Sequence, residues 1–321
     1  MAVHSHNHAH DHAHSDGRSD AAARGHSHTH DGIDWSSRLN FLRQADELDA
    51  EARAVVARRL VRTLPDKPTV LDVGCGAGGM SVALVEALSA RGGGTVVLVD
   101  STPELLDAAA HAARSAATYG TDTTRATVQV RPVLADLATE RPVEIAGPAQ
   151  LVWASNVVHH LPDQRAAVTA LVEAIAPGGW LALAEGGLTG KFLPYDLGIG
   201  EPGLQDRLSA ARAEWFVRMR EDTTDSVRLS GGWNLLLSDT GLVDVTAFSY
   251  LIDHPAPPKP AVRDWAVDQL RWHDEVAGHL LHPADRRTVK QLLDPQDPAY
   301  LGLRDDVFLL TANTVYLGRK P

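Results

Sequence analysis

The chain has 321 residues, 44% of them hydrophobic, and a net charge of −11. That length can bury one large core, and the acidity disfavours a nucleic-acid backbone as partner. No apolar run approaches the roughly 20 residues of a membrane span, and the N-terminus is not the basic-then-apolar run of a secretory signal. The single cysteine, Cys75, excludes an internal disulfide and suits a reducing cytoplasm.

Residues 1–32 are low in complexity. His4, His6, His8, His10, His12 and His14 alternate with small or polar residues, and His26, His28 and His30 repeat the pattern. Nothing there can form a core, so the composition predicts a disordered tail. Its histidines offer weak sites for a divalent metal such as Zn, Ni or Cu. No metal site is expected in the rest of the chain.

Apolar residues keep a helical period from about 39 to 64, and Pro65 ends the run. Residues 69–73 then read as a buried strand. They break into Gly74-Cys75-Gly76-Ala77-Gly78-Gly79, and residues 80–90 read as a helix. A glycine turn at a helix start brings backbone N–H groups and a positive dipole end to a ligand, so this is a nucleotide-type loop. Gly74, Gly76 and Gly79 fit a dinucleotide pattern, while Gly74, Gly76 and Gly78 fit the shorter pattern of S-adenosylmethionine (SAM) enzymes. Asp72 discriminates. A carboxylate at the strand end suits the cationic amino group of SAM and would repel a pyrophosphate.

Residues 95–99 form a second continuous apolar strand, as in a parallel sheet covered on both faces. It ends at Asp100, placed to accept ribose hydroxyls. A helix over 103–117 follows, then a strand over 127–134 that ends in Ala135-Asp136-Leu137. A fourth strand over 150–155 leads into Asn156-Val157-Val158-His159-His160-Leu161-Pro162-Asp163. Strand ends of this kind face the crevice of an open α/β sheet. Histidine can take a proton near neutral pH, so His159 or His160 is a candidate base. The alternative is that one caps the next helix and the other packs under an adenine. A helix over 164–175, the turn Pro177-Gly178-Gly179 and a strand over 180–184 ending at Glu185 complete the alternation.

Beyond Gly186 the pattern changes. Residues 191–203 read as loop, 204–220 and 232–240 as helices, 242–252 as a strand, 261–293 as helix and 307–317 as the last strand, paired with 242–252 as a hairpin. Trp215, Trp265 and Trp272 fall in these departures.

The motifs from Val70 to Glu185 together resemble the class I SAM-dependent methyltransferases that act on small molecules (type 11/12/25-like). The resemblance implies a Rossmann-like, seven-stranded, mostly parallel sheet with helices on both faces. It places helical lid insertions at about 188–230 and 253–305 of one domain over 33–321, following the histidine-rich tail. It implies SAM as cofactor, with contacts from Asp72, Gly74, Cys75, Gly76, Gly78, Asp100, Ser101 and Asn156. Asp136 would accept from the adenine amino group, and Leu137 would pack on the ring. A leading helical segment often covers the cofactor, which makes Trp35, Arg38 and Arg43 weaker candidates. The acceptor would be a small molecule, and a homodimer stays open. An NAD-dependent oxidoreductase remains an alternative, although it gives Asp72 and Asp136 no role. A metal-handling protein that uses SAM structurally is a second alternative.

Overall fold

The computed structural model describes residues 33–118 and 126–321. Among them the elements run α1 (Leu39–Val61), β1 (Thr69–Val73), α2 (Gly79–Ser89), β2 (Gly94–Asp100), α3 (Pro103–Thr118), β3 (Val128–Leu134), α4 (Pro142–Ala146), β4 (Ala149–Ser155), α5 (Gln164–Glu173) and β5 (Ile175–Lys191). Then follow α6 (Leu204–Asp222), α7 (Trp233–Asp239), β6 (Val243–His254), α8 (Pro260–Ala277), α9 (Pro283–Leu293) and β7 (Leu309–Arg319). The tail, with its proposed metal ligands, lies outside the described residues.

The seven strands form one sheet in the order β3-β2-β1-β4-β5-β7-β6. β1 to β5 pair in parallel, and β7 runs antiparallel to both of its neighbours, β5 and β6. The strand order reverses between β1 and β4, so the crevice at their C-terminal ends is where an open α/β sheet binds its ligand. The uninterrupted apolar runs of β1 and β2 have both faces to fill. Val70, Val96 and Leu98 pack with α1, α2 and α3 on one side, and Leu71, Val73, Val97 and Val99 pack with α5 and α7 on the other. A third cluster joins α6, α8 and α9 through Phe192, Leu208, Trp265, Leu270 and Val289. It lies against the first half of α1, whose Leu48 belongs to it. No helix among the described residues is long and apolar enough to cross a membrane.

Three expectations from the sequence need correction. β5 does not end at Glu185. It continues to Lys191 alongside β7, with register shifts between Ala184 and Gly187 and between Leu188 and Lys191. The glycines that read as the end of a strand instead admit these irregularities: a Cβ on Gly187 would stand 2.0 Å from the Ala312 carbonyl oxygen. The helix expected over 261–293 is two helices: α8 ends at Ala277, a 3-10 turn over Gly278–Leu280 follows, and Pro283 opens α9 at a position that needs no N–H donor. β6 and β7 do pair, but not as a hairpin, since α8 and α9 stand between them in the chain.

Candidate active site

A cleft of about 440 Å³ opens at the C-terminal ends of β1, β2, β3 and β4 and is roofed by α6 and α8. Asp72, Gly74, Cys75, Gly76, Asp100, Ser101, Asp136, Leu137, Asn156, His159 and His160 all line it, as do Trp35 and Arg38. Gly78 and Arg43 are not on its wall. Gly78 instead starts α2 with a left-handed φ of +97°.

Gly74 has a structural reason to be glycine. Its φ is +65°, and a Cβ would lie 2.2 Å from Val157 Cγ2, so β1 and the β4 turn meet at a distance no side chain permits. Gly76 differs: a Cβ there would meet nothing within 4 Å, and its residue lines the open cleft.

The start of α2 is already held by a carboxylate. Asp46 on α1 accepts a hydrogen bond from the Gly79 N–H at 2.8 Å through Oδ2 and pairs with Arg53 through Oδ1. Asp49 pairs with the other guanidinium nitrogen of Arg53 at 3.1 Å. Beside this cluster Asp72 is 2% exposed and accepts from the Ser81 hydroxyl at 2.5 Å. Burial pushes the Asp72 carboxyl up to about 7, against the pull of the Ser81 hydroxyl and the Arg53 charge. A pyrophosphate brought to this helix start would meet Asp46 and Asp72, which repel it; a cationic amine would find a buried carboxylate in need of one.

Asp100 is tied into the loop. Its Oδ2 accepts from the Gly76 N–H and its Oδ1 from the Thr102 N–H, both at 2.9 Å. Burial raises its pKa, and these backbone donors oppose the rise. The Ser101 N–H and the Thr102 hydroxyl oppose the rise as well, so the carboxyl is held from several sides at the edge of the cleft. Asp136 stands at the end of β3, where its Oδ1 accepts from the Ala138 N–H at 2.9 Å. Asn156 ends β4 with φ at +54°, a left-handed turn that asparagine tolerates better than most residues.

The two histidines separate clearly. His159 Nδ1 lies 2.6 Å from Glu185 Oε2, and Glu185 Oε1 accepts from the N–H groups of Val157 and Val158 at 3.1 and 2.9 Å. Those donors fix the Glu185 carboxyl in place, although it is 1% exposed. A carboxylate oxygen facing Nδ1 favours the tautomer that donates from Nδ1 and keeps its lone pair on Nε2, for which no hydrogen-bond partner stands among the described residues. His160 packs its ring on His159 at 4.0 Å between centroids and edge-on to Trp35 at 5.5 Å. Neither caps the next helix: Asp163 does so, accepting from the Ala166 N–H at 2.9 Å.

The roof brings Arg212, Trp215 and Phe216 from α6 and Gln269 and Trp272 from α8. Phe216 stands 5.7 Å from the His159 ring, and Trp215 meets Trp272 edge-on at 6.0 Å. Trp265 is not on the wall; it packs against Phe192 inside the roof. Arg38 lies over the Trp272 ring and pairs with Glu275, which pins the segment before α1 to α8.

Sequence reasoning passed over Asp46, Arg53, Arg212 and Tyr250 as cleft residues. Asp46, Asp49 and Arg53 share one stripe of α1 at helical spacing, which was a readable signal. Arg212 gave none, because an arginine in an amphipathic helix ordinarily faces water.

An open doubly wound sheet with a glycine loop and strand-end acids defines a protein that binds a nucleoside cofactor at its switch point. Residues 71–181 match the family model described as a methyltransferase domain. Over 144 residues the chain is 37% identical to a trans-aconitate 2-methyltransferase of Azoarcus sp. (strain BH72), covering 44% of this chain and 47% of that one. Over 238 residues it is 27% identical to the trans-aconitate 2-methyltransferase of Variovorax paradoxus (strain S110), covering 73% and 78%. The chain thus spans about half the length of the first of these relatives. A solved SAM-dependent methyltransferase from Thiobacillus denitrificans, in complex with S-adenosylhomocysteine, aligns at 13% identity and a TM-score of 0.42 over 82% of this chain and 90% of that one, a likeness too low to bear on function. The segment built around the glycine loop, residues 71–181, thus matches a methyltransferase domain.

Proposed function

We propose that this chain transfers the methyl group of SAM to an oxygen of a small-molecule acceptor. The observation that carries the reading is the His159–Glu185 pair, which opens on the same cleft as the 74–78 loop. The residues present fit the cofactor. Asp72 offers a buried carboxylate to the amino group, Asp100 faces the ribose, Asp136 and Leu137 take the adenine, and the Asp46 cap excludes a pyrophosphate from the start of α2. When bound, SAM supplies a methyl carbon already activated on a sulfonium, so the protein's work is alignment and proton removal.

Glu185 holds His159 in the tautomer whose Nε2 accepts a proton. Nε2 of His159 would accept the proton of an acceptor hydroxyl placed against it, and that oxygen would take the methyl carbon from bound SAM, the carbon–sulfur bond breaking to leave S-adenosylhomocysteine. The imidazolium that forms is stabilised by the Glu185 carboxylate beneath it. Trp35, Phe216 and the roof helices keep water from the reacting oxygen. The names of the relatives agree with a small-molecule acceptor: two are trans-aconitate 2-methyltransferases, and a third is a ubiquinone biosynthesis O-methyltransferase of Leptothrix cholodnii, 33% identical over 116 residues.

Two measurements test this. S-adenosylhomocysteine, and not NAD, should raise the melting temperature of the full chain. A metabolite screen should then find an acceptor that releases S-adenosylhomocysteine from SAM. Stabilisation by NAD without any by S-adenosylhomocysteine would reject the reading.

A further inference from the structure

Three arginines line the cleft, and two of them are neutralised. Arg38 pairs with Glu275, and Arg53 pairs with Asp46 and Asp49. Arg212 differs. Among the described residues no carboxylate or carbonyl oxygen bonds its guanidinium, in a chain that has 41 acidic residues against 30 basic ones. Its neighbours on α6 are all satisfied: Arg207 pairs with Asp285, Arg218 with Glu214, and Arg220 donates to the carbonyls of Leu161 and Pro162. Desolvation lowers the pKa of Arg212, and no acid offsets it. The titratable group it faces, His273 on α8, is 2% exposed and pushed down to about 4, first by burial and then by the Arg212 charge. His273 is therefore neutral at ordinary pH and supplies no counter-charge.

Arg212 is exposed to the cleft rather than sealed from water, and a guanidinium that no protein carboxylate occupies is free to take a ligand anion by charge-assisted hydrogen bonds. Arg212 stands one helical turn before Phe216, whose ring lies against His159. The two residues thus stand roughly 6 Å apart along the axis of α6, on the same face of the helix. Trp215 and Trp272 wall the space beside it with flat apolar surface. One unpaired positive charge matches a single carboxylate better than a phosphate dianion.

We propose that Arg212 is the anchor for the carboxylate of an acceptor whose flat apolar body lies against Trp215, Phe216 and Trp272 and whose hydroxyl reaches His159. The placement of the hydroxyl rests on the methyl-transfer reading above; the anion site itself does not.

Tryptophan fluorescence of the full chain reads the site directly, because Trp215 and Trp272 flank it. The probes are 4-hydroxybenzoate, 4-hydroxyphenylacetate and 4-hydroxycinnamate, each compared with its neutral amide, in the presence and absence of saturating S-adenosylhomocysteine. At least one acid should bind at least 10-fold tighter than its amide. Arg212→Gln should abolish that preference without changing the affinity of the amide, and Arg212→Lys should keep part of it. Phenyl phosphate should bind more weakly than the best acid. Equal binding of every acid and its amide, an acid affinity that survives Arg212→Gln, or phenyl phosphate as the tightest probe would each overturn the assignment. Absence of S-adenosylhomocysteine binding alongside a clear acid preference would instead reject the cofactor reading and leave the anion site standing. The melting temperature of Arg212→Gln checks that the variant is folded, and Arg212→Lys supplies the comparison if it is not.

Discussion

Nδ1 of His159 sits 2.6 Å from Oε2 of Glu185, on a carboxylate whose other oxygen is held by two backbone N–H groups. The pair makes a sharp prediction about each partner. His159→Ala should lower the rate of methyl transfer at saturating SAM by roughly 10²–10⁴ while leaving S-adenosylhomocysteine affinity nearly unchanged. Glu185→Gln should approach that loss by a different route. A glutamine amide facing Nδ1 favours the opposite tautomer and puts the proton on Nε2. His160→Ala, which removes a ring packed on Trp35, should stay within a few-fold of wild type. Single-turnover rates decide, and a His159→Ala rate close to wild type would remove the base.

Asp72 predicts a pH dependence. Its pKa in the fold is about 7, above the ordinary value of 3.8, because burial disfavours the charged form. The folded state therefore binds more protons than the unfolded one between those values. The contribution of this group to stability is fully present below 3.8 and is lost as pH rises through about 7. Asp72→Asn removes the titration, so the variant should melt higher than wild type at pH 8, and the gap should close towards pH 4. The same variant should bind S-adenosylhomocysteine at least about 10-fold more weakly at pH 8, since it lacks the charge for the amino group. A melting curve with an unchanged pH slope would count against the buried carboxylate.

Asp46 ties α1 to α2. From its place on α1 it bonds the start of α2 and neutralises Arg53 on its own helix. Asp46→Ala leaves Arg53 with one partner and the Gly79 N–H with none, a loss of about 3 kcal/mol in urea unfolding. Asp46→Asn keeps an acceptor for Gly79 and should lose distinctly less. Equal losses in the two variants would mean that the charge on Asp46 contributes little.

Gly74 and Val157 should be energetically coupled. Gly74→Ala introduces a Cβ 2.2 Å from Val157 Cγ2 at a φ of +65°. The backbone strain alone costs on the order of 1–3 kcal/mol. Adding Val157→Ala relieves the contact but not the strain. Unfolding of the double variant should therefore show a favourable coupling of about 1 kcal/mol or more, and strict additivity would refute the contact.

The parallel half of the sheet was legible because β1, β2 and β4 are buried on both faces, and continuous apolar runs can have few other meanings. The glycine loop and the acids at strand ends were legible for the same local reason. What escaped reading depended on contacts distant in sequence. Glu185 read as the end of a strand without a partner; the pairing became visible when β4 and β5 brought it against His159, 26 positions away. Asp46 looked like one helical acid among several until α1 laid it across the start of α2. β5 read short because glycine ordinarily ends a strand, whereas here Gly187 lets β7 approach closely. The break at Pro283 was readable from the residue alone, since proline favours the first turn of a new helix over the interior of an old one.

The chain leaves the sheet from β6, builds α8 and α9, and returns as β7 directly beside the strand it left. α8 and its share of the cleft wall are thus a closed loop whose neck is an antiparallel ladder running from Val243 opposite Arg319 to His254 opposite Leu309. The chain entropy of closing that loop is met once, by the ladder, and opening α8 away from the cleft at full amplitude would unzip it. Trp272 and Gln269 are consequently anchored as firmly as the sheet. Slow amide exchange along α8 should follow the exchange of β6 and β7 as one unit, with Arg38 and the segment before α1 yielding first.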